Sequence, residues 1–216
     1  MLTSEINSTI NRQIVQIVSG DKTYPAYLAA PRPGGKTSTA LVLLHSFKGL
    51  EPGYKVMMDN LASEGFIVLA PEWQTFTEKP KDEAVKQLVI DSVMHLKNGS
   101  GVDSARVGLV GFCAGGRFTM LFLPQISLFK AGVAFYGFPY SGGFNNQSQP
   151  AEFLQQLEEP LLMIHGSRDK ASNIVDIYKY AQGLDAANKF FEMKVYQGEP
   201  HGFMVVDGKL SETSSG

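Results

Sequence analysis

Short apolar runs alternate with amphipathic stretches along this chain. Ala40-Leu-Val-Leu-Leu44, Phe66-Ile-Val-Leu-Ala70 and Ala131-Gly-Val-Ala-Phe-Tyr136 are nearly continuous in apolar residues. Parallel strands buried on both faces read this way. Val107-Gly-Leu-Val110, the apolar part of Pro160–Ile164, and Phe191–Tyr196 add three more strands. Between them, residues 82–97 place Val85, Leu88, Val89, Val93 and Leu96 on one helical face, and residues 53–64 do the same with Val56, Met57 and Leu61. Residues 172–188 are a third helix. Near the start, Gln13–Val18 and Thr23–Leu28 flank Ser-Gly-Asp-Lys and predict a hairpin. Pro31–Thr39, the Pro71–Pro80 excursion and a Gly/Ser/Asn/Gln-rich stretch ending near 150 are loops. Strands alternating with helices predict an α/β fold with a mostly parallel, doubly wound sheet and helices on both faces. The length of 216 residues suits one domain over 1–216.

The chemistry concentrates in Gly111-Phe-Cys-Ala-Gly-Gly116, which follows the strand Val107–Val110 and opens a helix. Cys113 sits at the centre of a G-x-C-x-G turn, a nucleophile elbow with sulfur in place of the usual serine oxygen. Such a turn needs small neighbours because the helix and the strand backbone crowd together, and Gly111 and Gly115 provide them. The helix N-terminus also favours a thiolate and a developing oxyanion. The alternative is a buried structural cysteine, a common fate for free cysteine.

Two partners follow in the order nucleophile, acid, histidine. Asp169 ends the loop after Pro160–Ile164, and His201 lies in Gly198-Glu-Pro-His-Gly-Phe203 after Phe191–Tyr196. All three stand at carboxyl ends of strands, where open α/β sheets bind ligands. His201 would be base or ion-pair partner of the thiol, and Asp169 would fix its tautomer. Asp176 and Glu199 are rival acids. The backbone N–H groups of Ala114 and Phe47 are the candidates for an oxyanion hole. His45 and His165 also sit at strand ends, but no metal-ligand spacing joins them to His201. No metal and no cofactor are expected.

Composition narrows the class. A net charge of −2 without a basic run gives no case for nucleic acid. A single cysteine excludes an internal disulfide and fits a reducing cytoplasm. No signal peptide is visible at Met1–Asn7, and no apolar run approaches the ~18 residues of a membrane span. The expected partner is a small molecule, with neither nucleic acid nor membrane involved.

Together, Gly111-Phe-Cys-x-Gly-Gly116, His165-Gly-x-x-Asp169 and His201-Gly-Phe203 resemble the dienelactone hydrolase (carboxymethylenebutenolidase-like) family. His45-Ser-Phe-Lys-Gly-Leu50 and Ala70-Pro-Glu-Trp73 extend the resemblance over nearly the whole chain. It implies an α/β-hydrolase fold and hydrolysis of a cyclic enol lactone by a Cys-His-Asp triad, through a thioester acyl-enzyme. Two departures bear on substrate and activation. Ser46 stands where the family has a glutamate that pairs with the thiol. Val205 stands where the family has an arginine for the substrate carboxylate. With Trp73 and Phe76 as aromatic walls, the pocket is expected to prefer neutral esters or lactones, unless Lys79, Lys81 or Arg117 reaches the site. A small-ester carboxylesterase and a non-catalytic hydrolase-fold binding protein are the alternatives, and monomer and homodimer both stay open. Gly208–Gly216 carries no helical pattern, whereas the family ends in a helix packed on the sheet. The chain is then either truncated or covered there by other means.

Overall fold

A computed structural model describes residues 9–32, 38–99 and 101–211. Met1–Asn7, most of the Pro31–Thr39 loop and the last five residues of the Gly208–Gly216 tail lie outside them. In chain order the elements are β1 (Ile10–Ser19), β2 (Lys22–Pro31), β3 (Ser38–Leu44), α1 (Pro52–Ser63), β4 (Ile67–Pro71), α2 (Asp82–Asn98) and β5 (Val102–Phe112). Then come α3 (Ala114–Phe122), β6 (Ala131–Phe135), β7 (Leu161–Gly166), α4 (Ile174–Ala186), β8 (Phe191–Tyr196), β9 (Val205–Val206) and β10 (Lys209–Leu210).

Eight strands form one sheet in the order β1-β2-β4-β3-β5-β6-β7-β8. The hairpin β1–β2 and its junction with β4 are antiparallel, and every other pairing is parallel. Strand residues alternate between two cores because side chains of a strand point to opposite faces. Val42, Leu44 and Leu69 join α2, α3 and α4 in the larger core. Leu43, Val68 and Ala70 join α1 in the smaller one.

The fully buried stripe of α1 is Tyr54, Met58 and Ala62, while the expected Met57 and Leu61 pack partly against the same core and Val56 does not. Val56 is 47% exposed. The i, i+4 spacing of Tyr54, Met58 and Ala62 makes one face, and a tyrosine can lie in a core when its hydroxyl reaches a polar site. The short β9–β10 hairpin, absent from the sequence reading, packs against α1. The Gly53 N–H donates to Gly208 O at 2.8 Å, and a Cβ at Gly53 would lie 2.6 Å from the Leu210 backbone nitrogen. The segment 205–210 is thus held against α1.

One buried ion pair fastens the loop after β6. Arg117 of α3 meets Asp82 of α2 in two parallel hydrogen bonds of 2.9 and 2.7 Å. Two further N–H groups donate to Ser141 O and Ser148 O, both at 2.8 Å. Four of its five guanidinium N–H groups are thus engaged, and Arg117 does not line the cavity beside Cys113. Asp82→Asn leaves this guanidinium buried without its counter-charge, and breaking such a pair costs about 3–5 kcal/mol. Urea denaturation is expected to show a loss of that order, and a loss below ~1 kcal/mol would contradict the role assigned to the pair.

Candidate active site

The parallel strands β3, β5, β6, β7 and β8 end on one edge of the sheet. Their loops carry Ser46 and Phe47, Cys113, Tyr136, Asp169 and His201. Strand β5 turns directly into α3 at Cys113, whose backbone has φ 58° and ψ −114°. A non-glycine residue at positive φ stores roughly 1–3 kcal/mol of strain and persists only where packing enforces it. Packing does so here. A Cβ at Gly111 would overlap the Gly115 carbonyl, and one at Gly115 would overlap the Leu44 carbonyl. The first turn of α3 thus lies directly on the ends of β5 and β3. Cys113 is half-buried and faces a cavity of about 350 Å³.

Asp169 has no exposed side-chain surface. Its Oδ1 accepts the N–H groups of Ala171 and Ser172, each at 2.8 Å, and its Oδ2 accepts His201 Nδ1 at 2.7 Å. Burial alone would raise its pKa. The hydrogen bonds from His201 and Ser172 outweigh that and hold it below the ordinary carboxylate value. For His201, burial alone would lower the pKa. Hydrogen bonding to Asp169 and the nearby Cys113 sulfur push it instead to about 9. His201 is therefore an imidazolium at neutral pH when Cys113 is a thiolate. Its Nε2, the nitrogen remote from Asp169, is buried and has no partner among the described residues.

The other two strand-end histidines are neutral supports. His165 Nε2 lies 2.8 Å from Ser172 O and 3.4 Å from Asp169 Oδ2. Burial lowers its pKa, so the longer contact is not an ion pair. The Ser172 hydroxyl donates to Gly137 O at 2.6 Å, which locks the Asp169 loop against the end of β6. His45 Nδ1 donates to Ser46 O at 2.8 Å, and burial lowers the pKa of its ring to about 4. Its ring stacks on Trp73 with centroids 4.8 Å apart. That pair forms a floor beneath the loop bearing Phe47. His95 is exposed on α2.

The cavity is lined by Cys113, His201, Ser46, Phe47, Tyr54 and Tyr136, with Val205 beside the triad candidates and Lys48, Glu51 and Asp207 among its charged groups. Neither Trp73 nor Phe76 is among the lining residues, which corrects their expected place as substrate walls. Trp73 is 1% exposed because it packs under His45 and against Phe118. Phe76 is turned away, edge-on to Tyr24 and beneath the Lys22 ammonium. Lys79 and Lys81 are exposed and do not line the cavity either. The N–H groups of Phe47 and Ala114 have no acceptor among the described residues. Tyr54 and Tyr136 escaped the sequence reading. Tyr136 follows β6 as Cys113 follows β5, so the strand-end rule applied to every strand finds it. Tyr54 gave no such signal, since it sits in an apolar helix stripe.

The family model for the dienelactone hydrolases matches residues 72–215. A Methylorubrum extorquens protein named a carboxymethylenebutenolidase is 30% identical over 88% of this chain and 71% of its own. An Escherichia coli protein of the same name is 28% identical over 87% of this chain and 75% of its own. A crystal structure described as a dienelactone hydrolase from Klebsiella pneumoniae superposes with a TM-score of 0.84 at 25% identity, covering 90% of this chain and 88% of that one.

The electrostatics yield a direct test. His201's pKa of about 9 lies above its ordinary 6.5. Its charged contacts therefore add stability that is complete below pH 6.5 and disappears as pH rises through about 9. The assigned His201 ring resonance should titrate near 9 in the unliganded protein, and Asp169→Asn should move that midpoint down. An unmodified midpoint near 6.5 would contradict the assigned coupling. With strand order, cavity, sequence match and fold in agreement, this chain belongs to the dienelactone hydrolase family and is an α/β-hydrolase enzyme.

Proposed function

We propose that the protein hydrolyses a small carboxylic ester or lactone through a Cys113-His201-Asp169 triad and a thioester acyl-enzyme. The observation that carries this reading is the 2.7 Å Asp169–His201 hydrogen bond, placed so that the other face of the imidazole shares a cavity with Cys113. His201 takes the proton of the thiol. The sulfur attacks the carbonyl carbon, and the negative oxygen is received by the N–H groups of Phe47 and Ala114. Collapse expels the alcohol or ring oxygen, which takes a proton from the His201 imidazolium. Water, deprotonated by the now neutral His201, then attacks the thioester and releases the acid and Cys113. Asp169 keeps the proton on Nδ1 throughout, so Nε2 faces the reaction.

The cavity fits a modest substrate, since ligand pockets run from about 300 Å³ upward. Val205 offers apolar surface where a carboxylate partner was looked for, and Lys48 is balanced by Glu51 and Asp207. We read the substrate as a neutral ester or lactone. Lactonase and small-ester esterase activity use the same machinery and differ only in the leaving group.

A chromogenic acetate ester tests the triad. Cys113→Ala should lower kcat by at least about 10⁴-fold while the fold is retained, as expected when one member of a unit is lost. Asp169→Asn should lower it by on the order of 10³–10⁴-fold through the wrong tautomer. Near-normal turnover by a folded Cys113→Ala protein would overturn the mechanism. For the substrate, kcat/KM should favour a neutral lactone over a carboxylate-bearing lactone of similar size. A strong preference for the charged one would contradict that part.

A further inference from the structure

Beside Cys113 stand two tyrosines that the triad leaves unused. Tyr54 and Tyr136 are each 1% exposed, and both line the same cavity as the sulfur. The Tyr136 hydroxyl is buried and has no hydrogen-bond partner among the described residues. The Tyr136 backbone is held at φ 37°, an uncommon conformation for a non-glycine residue, while its N–H donates to Ile164 O at 2.8 Å. The ring stands edge-on to His201, with centroids 5.0 Å apart. Tyr54 comes from the opposite side, packed on Phe112, the residue before Cys113, at 5.1 Å between ring centres. Ser46 lines the same cavity as Tyr54.

An unpartnered phenol inside a protein is retained at a cost, so what it faces matters. These two face a sulfur that must carry negative charge in a half-buried cavity. A thiolate there needs donors, since burial of an unpaired charge is costly. His201 supplies one.

We propose that, once Cys113 loses its proton, the Tyr54 and Tyr136 hydroxyls turn to it, donate hydrogen bonds to the thiolate and hold the free enzyme in its charged, reactive form. This rests on Cys113 being the nucleophile. The thiol proton passes to His201, and the phenols keep theirs. Burial is the main cause that pushes both phenols well above the ordinary tyrosine value; Glu51 adds to it at Tyr54, Tyr54 adds to it at Tyr136, and Cys113 adds to it at both. They therefore stay neutral donors through the working pH range. In this chain the nucleophile is accordingly ready before substrate arrives.

The chain contains one cysteine, so alkylation by iodoacetamide reports on Cys113 alone. Its rate is measured against pH for the unmodified protein, Tyr54→Phe, Tyr136→Phe and the double variant. The groups facing the sulfur are His201, backed by Asp169, with Glu51, Lys48 and Asp207 on the cavity wall. The inflection therefore belongs to the coupled Cys113–His201 pair. Each Tyr→Phe change should raise it by about half to one pH unit, roughly a three- to tenfold loss of thiolate at neutral pH. The pH profile of kcat/KM should shift the same way. Unmoved inflections in folded variants overturn the proposal, including the case where only KM rises and the phenols merely contact substrate. Alkylation does not depend on turnover. An active Cys113→Ala protein would therefore overturn the triad, while shifted inflections would still report the thiolate donors.

Discussion

The first turn of α3 rests on the ends of β5 and β3 with no room for a side chain between them. At Gly111 and Gly115 any Cβ would collide with backbone carbonyls, so the two positions are closed to larger residues. That contact forces Cys113 to φ 58° and aims its side chain off the sheet edge into the cavity. It also leaves the Ala114 N–H at the start of a helix, where it has no helical acceptor. The orientation of the Cys113 side chain, a free amide and a favourable helix end thus come from one steric constraint. The buried Arg117–Asp82 pair supports it from behind by fixing α3 to α2 and holding the loop after β6.

Charge then sets the chemistry that the geometry permits. Asp169 is stripped of water but given three hydrogen bonds, so it remains a carboxylate and carries His201 with it. His165 and His45, buried beside backbone carbonyls and not given a carboxylate at bonding distance, stay neutral. Three histidines at neighbouring strand ends thus differ in protonation because of one close carboxylate contact. Two buried phenols, Tyr54 and Tyr136, share the cavity with the sulfur.

Much of this was legible in the sequence because the strongest signals are local. The eight strands of the main sheet, with the helices at 53–64, 82–97 and 172–188, follow from apolar runs and period, and each is present within a few residues. Cys113, Asp169 and His201 were readable because each lies at a strand end in an ordered pattern, and the fold brings the three together. Trp73 and Phe76 misled because an aromatic residue on a loop after a strand can point either way along the backbone. Only the stacking of His45 on Trp73 shows that this ring is floor and not wall. Val56 misled for a related reason. Apolar character placed it with Met57 and Leu61 on one face of α1, while the fully buried stripe is led by Tyr54. The β9–β10 hairpin is held by a contact with α1 far away in sequence, and two-residue strands carry no periodicity to detect.

The account turns on a covalent bond to one sulfur. Rapid quenching of the protein during turnover of an acetate ester, followed by intact-mass and peptide-mass analysis, looks for that bond directly. The expected result is an acetyl group on the peptide containing Cys113, labile to hydroxylamine as a thioester is. Sustained turnover with the acetyl group on a different residue, or with none at any quench time, would contradict it.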